Sequence, residues 1–307
     1  MAAADIIGLG EPLIEMVRMA EPIDGRPVYR QGFGGDTLNA TVAAARQGAR
    51  TGYVSAVGGD PFGEDILALC DAEGVDRSTV LVRPTDPTGV NFVHPDPSGR
   101  RFSYARRGSA ASLFTADELP EAAIAGARIL HVSAISQAIS ASMRGAVQRA
   151  AEIARANGTL VSYDLNLRLS LWTLDEARAA IEAFLPLADI VLPSDDEAEM
   201  LIGTRDPDTI LGHFGRHGAA HVVLKRGEMG AMLATGGARH AIPAPRVRAV
   251  DSTGAGDSFA GAFLAYLLEG GDALRAARLA ARVAAGTVGG YGAIDPIPRR
   301  AEVLAGA

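Results

Sequence analysis

Six short apolar runs, at 5–9, 51–57, 128–132, 159–163, 189–192 and 220–224, alternate with segments of helical period. The helical segments are 38–47, 63–73, 141–156, 174–184 and 207–217. Neighbouring parallel strands need a crossover long enough to hold a helix, so this alternation predicts an α/β fold. Its centre would be a mainly parallel sheet covered on both faces. Two stretches break the rhythm. Residues 11–18 and 88–107 read as extended ribbons, the second with a turn at Asp96-Pro97-Ser98-Gly99. Side chains alternate along a strand, so Phe102, Tyr104 and Arg106 fall on one face. We read these ribbons as a small β-sheet lid, with strands drawn from about 11–32 and 87–107. No Pro/Ser-rich linker or low-complexity segment divides the 307 residues, so the expectation is one domain over 1–307.

Composition narrows the function classes. Apolar residues are 48% of the chain and charged ones 21%, as in a globular enzyme. No apolar run approaches a membrane span. A net charge of −7 argues against a general nucleic-acid surface. Met-Ala-Ala-Ala-Asp5 lacks a basic leader region, and Cys70 is the sole cysteine, so the expected location is a reducing cytoplasm. The sequons at Asn39 and Asn157 are then chance matches.

The chemistry concentrates at Asp251-Ser-Thr-Gly254-Ala255-Gly256-Asp257. A turn almost without side chains lets backbone N–H groups approach an anion, and the apolar run 258–268 that follows reads as a buried helix. Orphan N–H groups and the helix dipole both favour negative charge at such a point. A carboxylate at Asp257 could take the proton from a nucleophile attacking bound phosphate. The plainer alternative is a glycine turn before a core helix, with Asp257 as its cap.

Other motifs fail on spacing. Gly8-Leu-Gly10 lacks the third glycine of a dinucleotide fingerprint, and Pro12 follows where that motif needs a helix. No Walker-type loop or hydrolase elbow occurs. His213, His217 and His221 are spaced by four, but Gly215 and Gly218 interrupt them, so no metal site is expected there. All but one of the 29 basic residues are arginine. The exception, Lys225, ends an apolar strand and begins Lys225-Arg226-Gly227-Glu228-Met-Gly230, where an α/β sheet presents a loop to ligand.

Taken together, these stretches resemble the ribokinase-like (PfkB) carbohydrate kinases over essentially the full length. Gly34-Gly35-Asp36-Thr37-Leu38-Asn39 is similar to the family's sugar-binding signature, and 251–257 to its C-terminal signature. Tyr104-Ala-Arg106-Arg107-Gly-Ser-Ala, Asp164-Leu-Asn166-Leu-Arg168 and Lys225-Arg-Gly227 resemble stretches of the ketodeoxygluconate kinases within it. The resemblance implies a central parallel sheet between helices, with a β lid over the sugar. It implies Asp257 as base and Gly254, Ala255 and Gly256 as anion hole. The sugar would meet Gly34, Gly35, Asp36, Thr37, Leu38, Asn39, Phe92, Tyr104, Arg106, Arg168 and Asp257. ATP would meet Asn166, Arg168, Ser194, Lys225, Arg226, Gly227, Glu228, Gly230 and the anion hole. Glu197 would hold Mg²⁺ through water, and Asp251 with Thr253 could join a monovalent-cation site. Self-association would run through the lid.

A keto acid brings a carboxylate, and a guanidinium grips carboxylate in bidentate fashion, so Arg106 is its natural partner. Arg100, Arg101 and Arg107 read as a solvated cluster. The chain departs from the family at Ser194-Asp-Asp-Glu197, where relatives commonly carry Asn-x-x-Glu, and at Gly289-Gly290-Tyr291-Gly292, which has no acidic or amide side chain. The leading expectation is phosphorylation of 2-keto-3-deoxygluconate to 2-keto-3-deoxy-6-phosphogluconate. The alternatives are a neutral-sugar kinase, for fructose or ribose, and an inactive sugar sensor.

Overall fold

The computed structural model describes residues 4–96 and 99–305. Among them, ten strands form a large sheet. From one edge the order is Ala238–Ile242, Ala231–Thr235, His221–Lys225, Ile190–Leu192, Leu160–Asp164, Ile129–Ser133, Ile6–Leu9, Thr51–Gly58 and Val75–Asp76. Val80–Arg83 also pairs with Thr51–Gly58. All six apolar runs lie in this sheet, and their pairings with one another are parallel. The hairpin at one edge is antiparallel. It had no clear strand signal, because Ala231–Thr235 and Ala238–Ile242 are rich in alanine, which favours strands poorly. Gly236-Gly237 was the available cue.

Helices cover both faces. Ala141–Ala156 and Leu174–Phe184 lie on one, each opened by a capping hydroxyl, from Ser140 and Thr173. Asp36–Arg46, Ala255–Gly270 and Ala273–Thr287 pack on the other. The last of these is capped by Asp272 and was not read from the sequence, although that cap was the signal. Where Asp36–Arg46 crosses Ala255–Gly270, a Cβ on Gly261 would lie 1.9 Å from the carbonyl oxygen of Ala40. Gly261→Ala must therefore push the two helices apart, at about 1–3 kcal/mol for overpacking. We expect a lower Tm by calorimetry. An unchanged Tm would mean that the crossing is loose.

A second sheet has the order Tyr29–Gly34, Leu13–Arg18, Val90–Asp96, Gly99–Ala105. It is the expected lid, joined by a strand from 29–34. Pro97 and Ser98, in the expected turn, lie outside the described residues.

The topology locates the site. Ile6–Leu9 pairs with Thr51–Gly58, the next strand of this sheet in sequence, on one side and with the later Ile129–Ser133 on the other, so the direction of strand order reverses there. In open parallel sheets such a switch point opens a crevice beyond the carboxyl ends of the strands.

Candidate active site

A cleft of about 1160 Å³ opens at those strand ends, under the lid. The ends supply Glu11, Asn166, Arg168, Ser194, Glu197 and Lys225, and the lid supplies Leu13, Glu15, Gly34, Asn91, Arg101, Phe102, Tyr104 and Arg106. Asp36 and Asn39 come from one helix; Gly254, Gly256 and Asp257 come from the start of another.

The glycine turn is built as its composition suggests. Gly254 takes the left-handed conformation (φ 74°) and is the N-cap of Ala255–Gly270. Asp251 anchors it from both sides. Its Oδ1 accepts from the Thr253 N–H (3.0 Å) and hydroxyl (2.7 Å), and its Oδ2 from the Gly292 N–H (2.9 Å). One expected donor is lost: the Ala255 N–H donates to the Ser252 carbonyl (3.3 Å). A turn closes on itself there, so the donors left for an anion are the N–H groups at Gly254, Gly256 and Asp257.

Asp257 does not cap its helix. Its Oδ2 accepts from Asn39 Nδ2 (2.8 Å) and its Oδ1 from Asn166 Nδ2 (3.3 Å). Asn166 also donates to Asp36 Oδ2 (3.1 Å), from a backbone at φ 27°. Burial, then the charge of Asp36, pushes the Asp257 carboxyl up to about 7. A carboxylate so poised can accept a proton near neutral pH. Asn39 and Asn166, expected at the sugar and at ATP, here hold the Asp257 carboxyl.

Several expected contacts face elsewhere. On helix Asp36–Arg46, positions 36 and 39 share the cleft face, which turns Thr37 and Leu38 inward. The Thr37 hydroxyl meets the Tyr53 hydroxyl (2.9 Å), and Leu38 is fully buried in the core. Strand alternation likewise gives Asn91 to the cleft and packs Phe92 edge-on against Tyr29. Neither Glu228 nor Gly230 lines the cleft, and a Cβ on Gly230 would meet the Ile242 carbonyl at 2.0 Å, so this glycine serves the turn. Arg226 is likewise off the cleft and pairs with Asp195 (3.3 Å).

Arg106 is already engaged. Its Nε donates to Glu11 Oε2 (2.7 Å), Nη2 pairs with the same carboxylate, and the guanidinium lies 5.2 Å from the Tyr104 ring centre. Ser109 donates to the other oxygen of Glu11 (2.6 Å). Burial pushes the Glu11 carboxyl up, against the pull of Arg106. Arg101, assigned above to a solvated cluster, lines the cleft, and Arg168 stands exposed on its wall.

At 194–197, Ser194 and Glu197 form a capping box for Asp195–Ile202. An asparagine would cap this helix as well, so capping does not account for the departure. Glu197 accepts from the Ser194 N–H (2.8 Å) and the Leu167 N–H (3.1 Å), and burial pushes its carboxyl up. Among the described residues no three His, Cys, Asp or Glu side chains could hold a metal together. His213 and His217 both turn to Glu182, and His221 to Thr235.

The description "pfkB family carbohydrate kinase" fits residues 9–300. The chain belongs to that family. A 2-dehydro-3-deoxygluconokinase of Thermoproteus tenax is 35% identical, over 99% of this chain and 94% of its own. Fructokinase-1 of Zea mays is 33% identical, over 97% and 96%. An Escherichia coli protein provisionally assigned as ribokinase II, solved with ATP and Mg²⁺, superposes with a TM-score of 0.90 at 29% identity, over 98% of each chain. This pfkB-family protein is thus an ATP-dependent carbohydrate kinase on a ribokinase-like fold. No helix among the described residues is long and apolar enough to cross a membrane.

Proposed function

We propose that this kinase phosphorylates a sugar acid, 2-keto-3-deoxygluconate, to 2-keto-3-deoxy-6-phosphogluconate. The observation that carries the phosphoryl-transfer site is Asp257, held by two asparagine amides at the mouth of a glycine turn. In the reaction Asp257 takes the proton of the sugar hydroxyl while that oxygen bonds to the γ-phosphorus. The bond from phosphorus to the bridging oxygen breaks, and ADP leaves. N–H groups of the turn stabilise the charge on the transferring group. Glu197 suits hydrated Mg²⁺, because this ion sheds water reluctantly and needs no protein cage. Such an ion would neutralise phosphate charge.

The acid is favoured by three guanidinium groups on the cleft wall, those of Arg101, Arg106 and Arg168. A neutral-sugar kinase is the second reading, and the pairing of Arg106 with Glu11 favours it, since a paired guanidinium has less to offer a carboxylate. Arg106→Ala cannot separate the two, because it strands Glu11 buried and unpaired. Arg168 is exposed and donates to the Leu167 carbonyl (3.0 Å), although its charge also favours ionised Glu197. Arg168→Ala should raise KM for 2-keto-3-deoxygluconate roughly ten- to a hundredfold, as loss of a charge-assisted bond does. Any activity on an uncharged hexose should change far less. A coupled assay with both substrates and ATP checks this. Equal losses would put the neutral-sugar reading ahead.

Self-association through the lid belongs to the same reading, since the lid segments expose Met19, Ile23, Tyr29 and Phe102. Sedimentation at the mass of one chain would remove it.

A further inference from the structure

The chain's sole lysine has a carboxylate partner inside the cleft. Lys225 Nζ lies 2.7 Å from both oxygens of Asp164, and the side chains are 14% and 3% exposed. The two residues end strands that are not neighbours. Between them lies Ile190–Leu192, whose Leu192 pairs with Asp164 and whose continuation bridges Ser194 to Lys225, so the Lys225 side chain reaches across that strand to Asp164. The ammonium also lies beside the glycine turn, since a Cβ built on Gly256 would sit 3.5 Å from Nζ.

We propose that Lys225 is a catalytic residue of the phosphoryl-transfer step, its ammonium supplying charge to the transferring group, and that Asp164 is the positioning residue that holds it against the turn. This rests on the assignment of Gly254–Asp257 as the phosphoryl site. Three arguments carry it. A buried ion pair is a poor stabilising device, since apolar side chains of similar volume commonly do as well, so a pair at the mouth of the site calls for another reason. An ammonium has three N–H donors, and the two oxygens of Asp164 leave one for a phosphoryl oxygen. The residue type matters too. Every other basic residue is arginine, yet the position beside the turn carries an ammonium, a compact point charge with three rotatable donors. Lys225 stays protonated throughout: burial lowers its pKa, but Asp164 and Glu197 outweigh this and hold it above the usual lysine value. The proton released in the step goes to Asp257.

The pair also acts on the base, after burial and the charge of Asp36. Facing Asp257 are Asp36 and Asn39 from one helix, Asp164 and Asn166 from the end of strand Leu160–Asp164, and Lys225. Lys225 lowers the Asp257 pKa, and Asp164 raises it.

The test compares Lys225→Met, Asp164→Asn and the double variant, with ATP and the best substrate of the wild-type enzyme. Lys225→Met should lower kcat roughly 10²–10³-fold, as loss of one transition-state donor does, with little change in KM for the sugar. Asp164→Asn should lower kcat less. The acid limb of the kcat/KM profile should move to higher pH in Lys225→Met and to lower pH in Asp164→Asn, a split that misfolding does not produce. If the lone Asp164 carboxylate prevents Lys225→Met from folding, the double variant removes it. That variant should keep the low kcat. Wild-type kcat in the double variant, or in Lys225→Met, overturns the proposal, as do limbs that stay in place. A kcat that survives in Asp257→Asn would instead refute the assignment of the phosphoryl site.

Discussion

Asp257→Asn is expected to lower kcat by roughly 10²–10⁴-fold while sugar binding is largely kept, because asparagine preserves shape but cannot accept the hydroxyl proton. The wild-type enzyme should show the same group in its pH profile. With the carboxyl pushed up to about 7, the active ionised form is scarce below that pH, so kcat/KM should fall about tenfold per unit on the acid side. The variant's residual rate should lack this limb. Stability should move the other way. A carboxyl whose folded pKa lies above its unfolded value contributes most at low pH and loses that contribution as pH rises through the folded value. Ionised Asp257 therefore strains the fold above about pH 7. Asp257→Asn should raise Tm most at pH 8 and little near pH 4. Near-normal kcat in the variant, or a limb near the ordinary carboxylate range, would remove Asp257 from the role of base.

The local parts of this site were readable because their signals are local. A run of Gly254, Ala255 and Gly256 before an apolar segment admits few structures other than a turn feeding a helix, and Asp257 is fixed to it by three residues of chain. The long-range parts had no such signal. The Asn39–Asp257 bond spans 218 residues, Arg106–Glu11 spans 95 and Lys225–Asp164 spans 61. Each is formed only when crossovers bring strand ends together at the switch point. Between these cases lie errors of phase. Phe92 for Asn91 is a slip of one residue on a strand, which reverses the face. Thr37 and Leu38 sit inside the 34–39 stretch, four of whose residues line the cleft, but a helical turn gives the cleft only its ends. Glu11 was read as the start of an extended ribbon, and nothing near it in sequence marks it as the partner of a lid arginine.

Gly254→Ala should nearly abolish turnover for a reason that charge plays no part in. At φ 74° an alanine carries a steric cost of about 1–2 kcal/mol. Its Cβ would also meet the carbonyl oxygen of Ala293 at 2.6 Å and the Ala293 Cα at 2.8 Å, both backbone atoms that cannot swing aside. The turn must shift, and it carries the N–H groups that would face the phosphoryl oxygens. A misplacement of about 1 Å at a reacting group is enough for a loss on the order of 10² in rate, so kcat should fall at least that far. Sugar binding, which we propose to involve the lid and helix Asp36–Arg46, should change little. Gly256→Ala is the contrasting variant. Its φ is not positive, and the added Cβ makes only an ordinary contact, 3.5 Å from Lys225 Nζ. The loss there should be smaller, and confined to the phosphoryl-transfer step. Steady-state kinetics of the two variants side by side checks the ranking. If Gly254→Ala turned over at the wild-type rate, the turn would be scaffolding, and the anion would have to be held elsewhere.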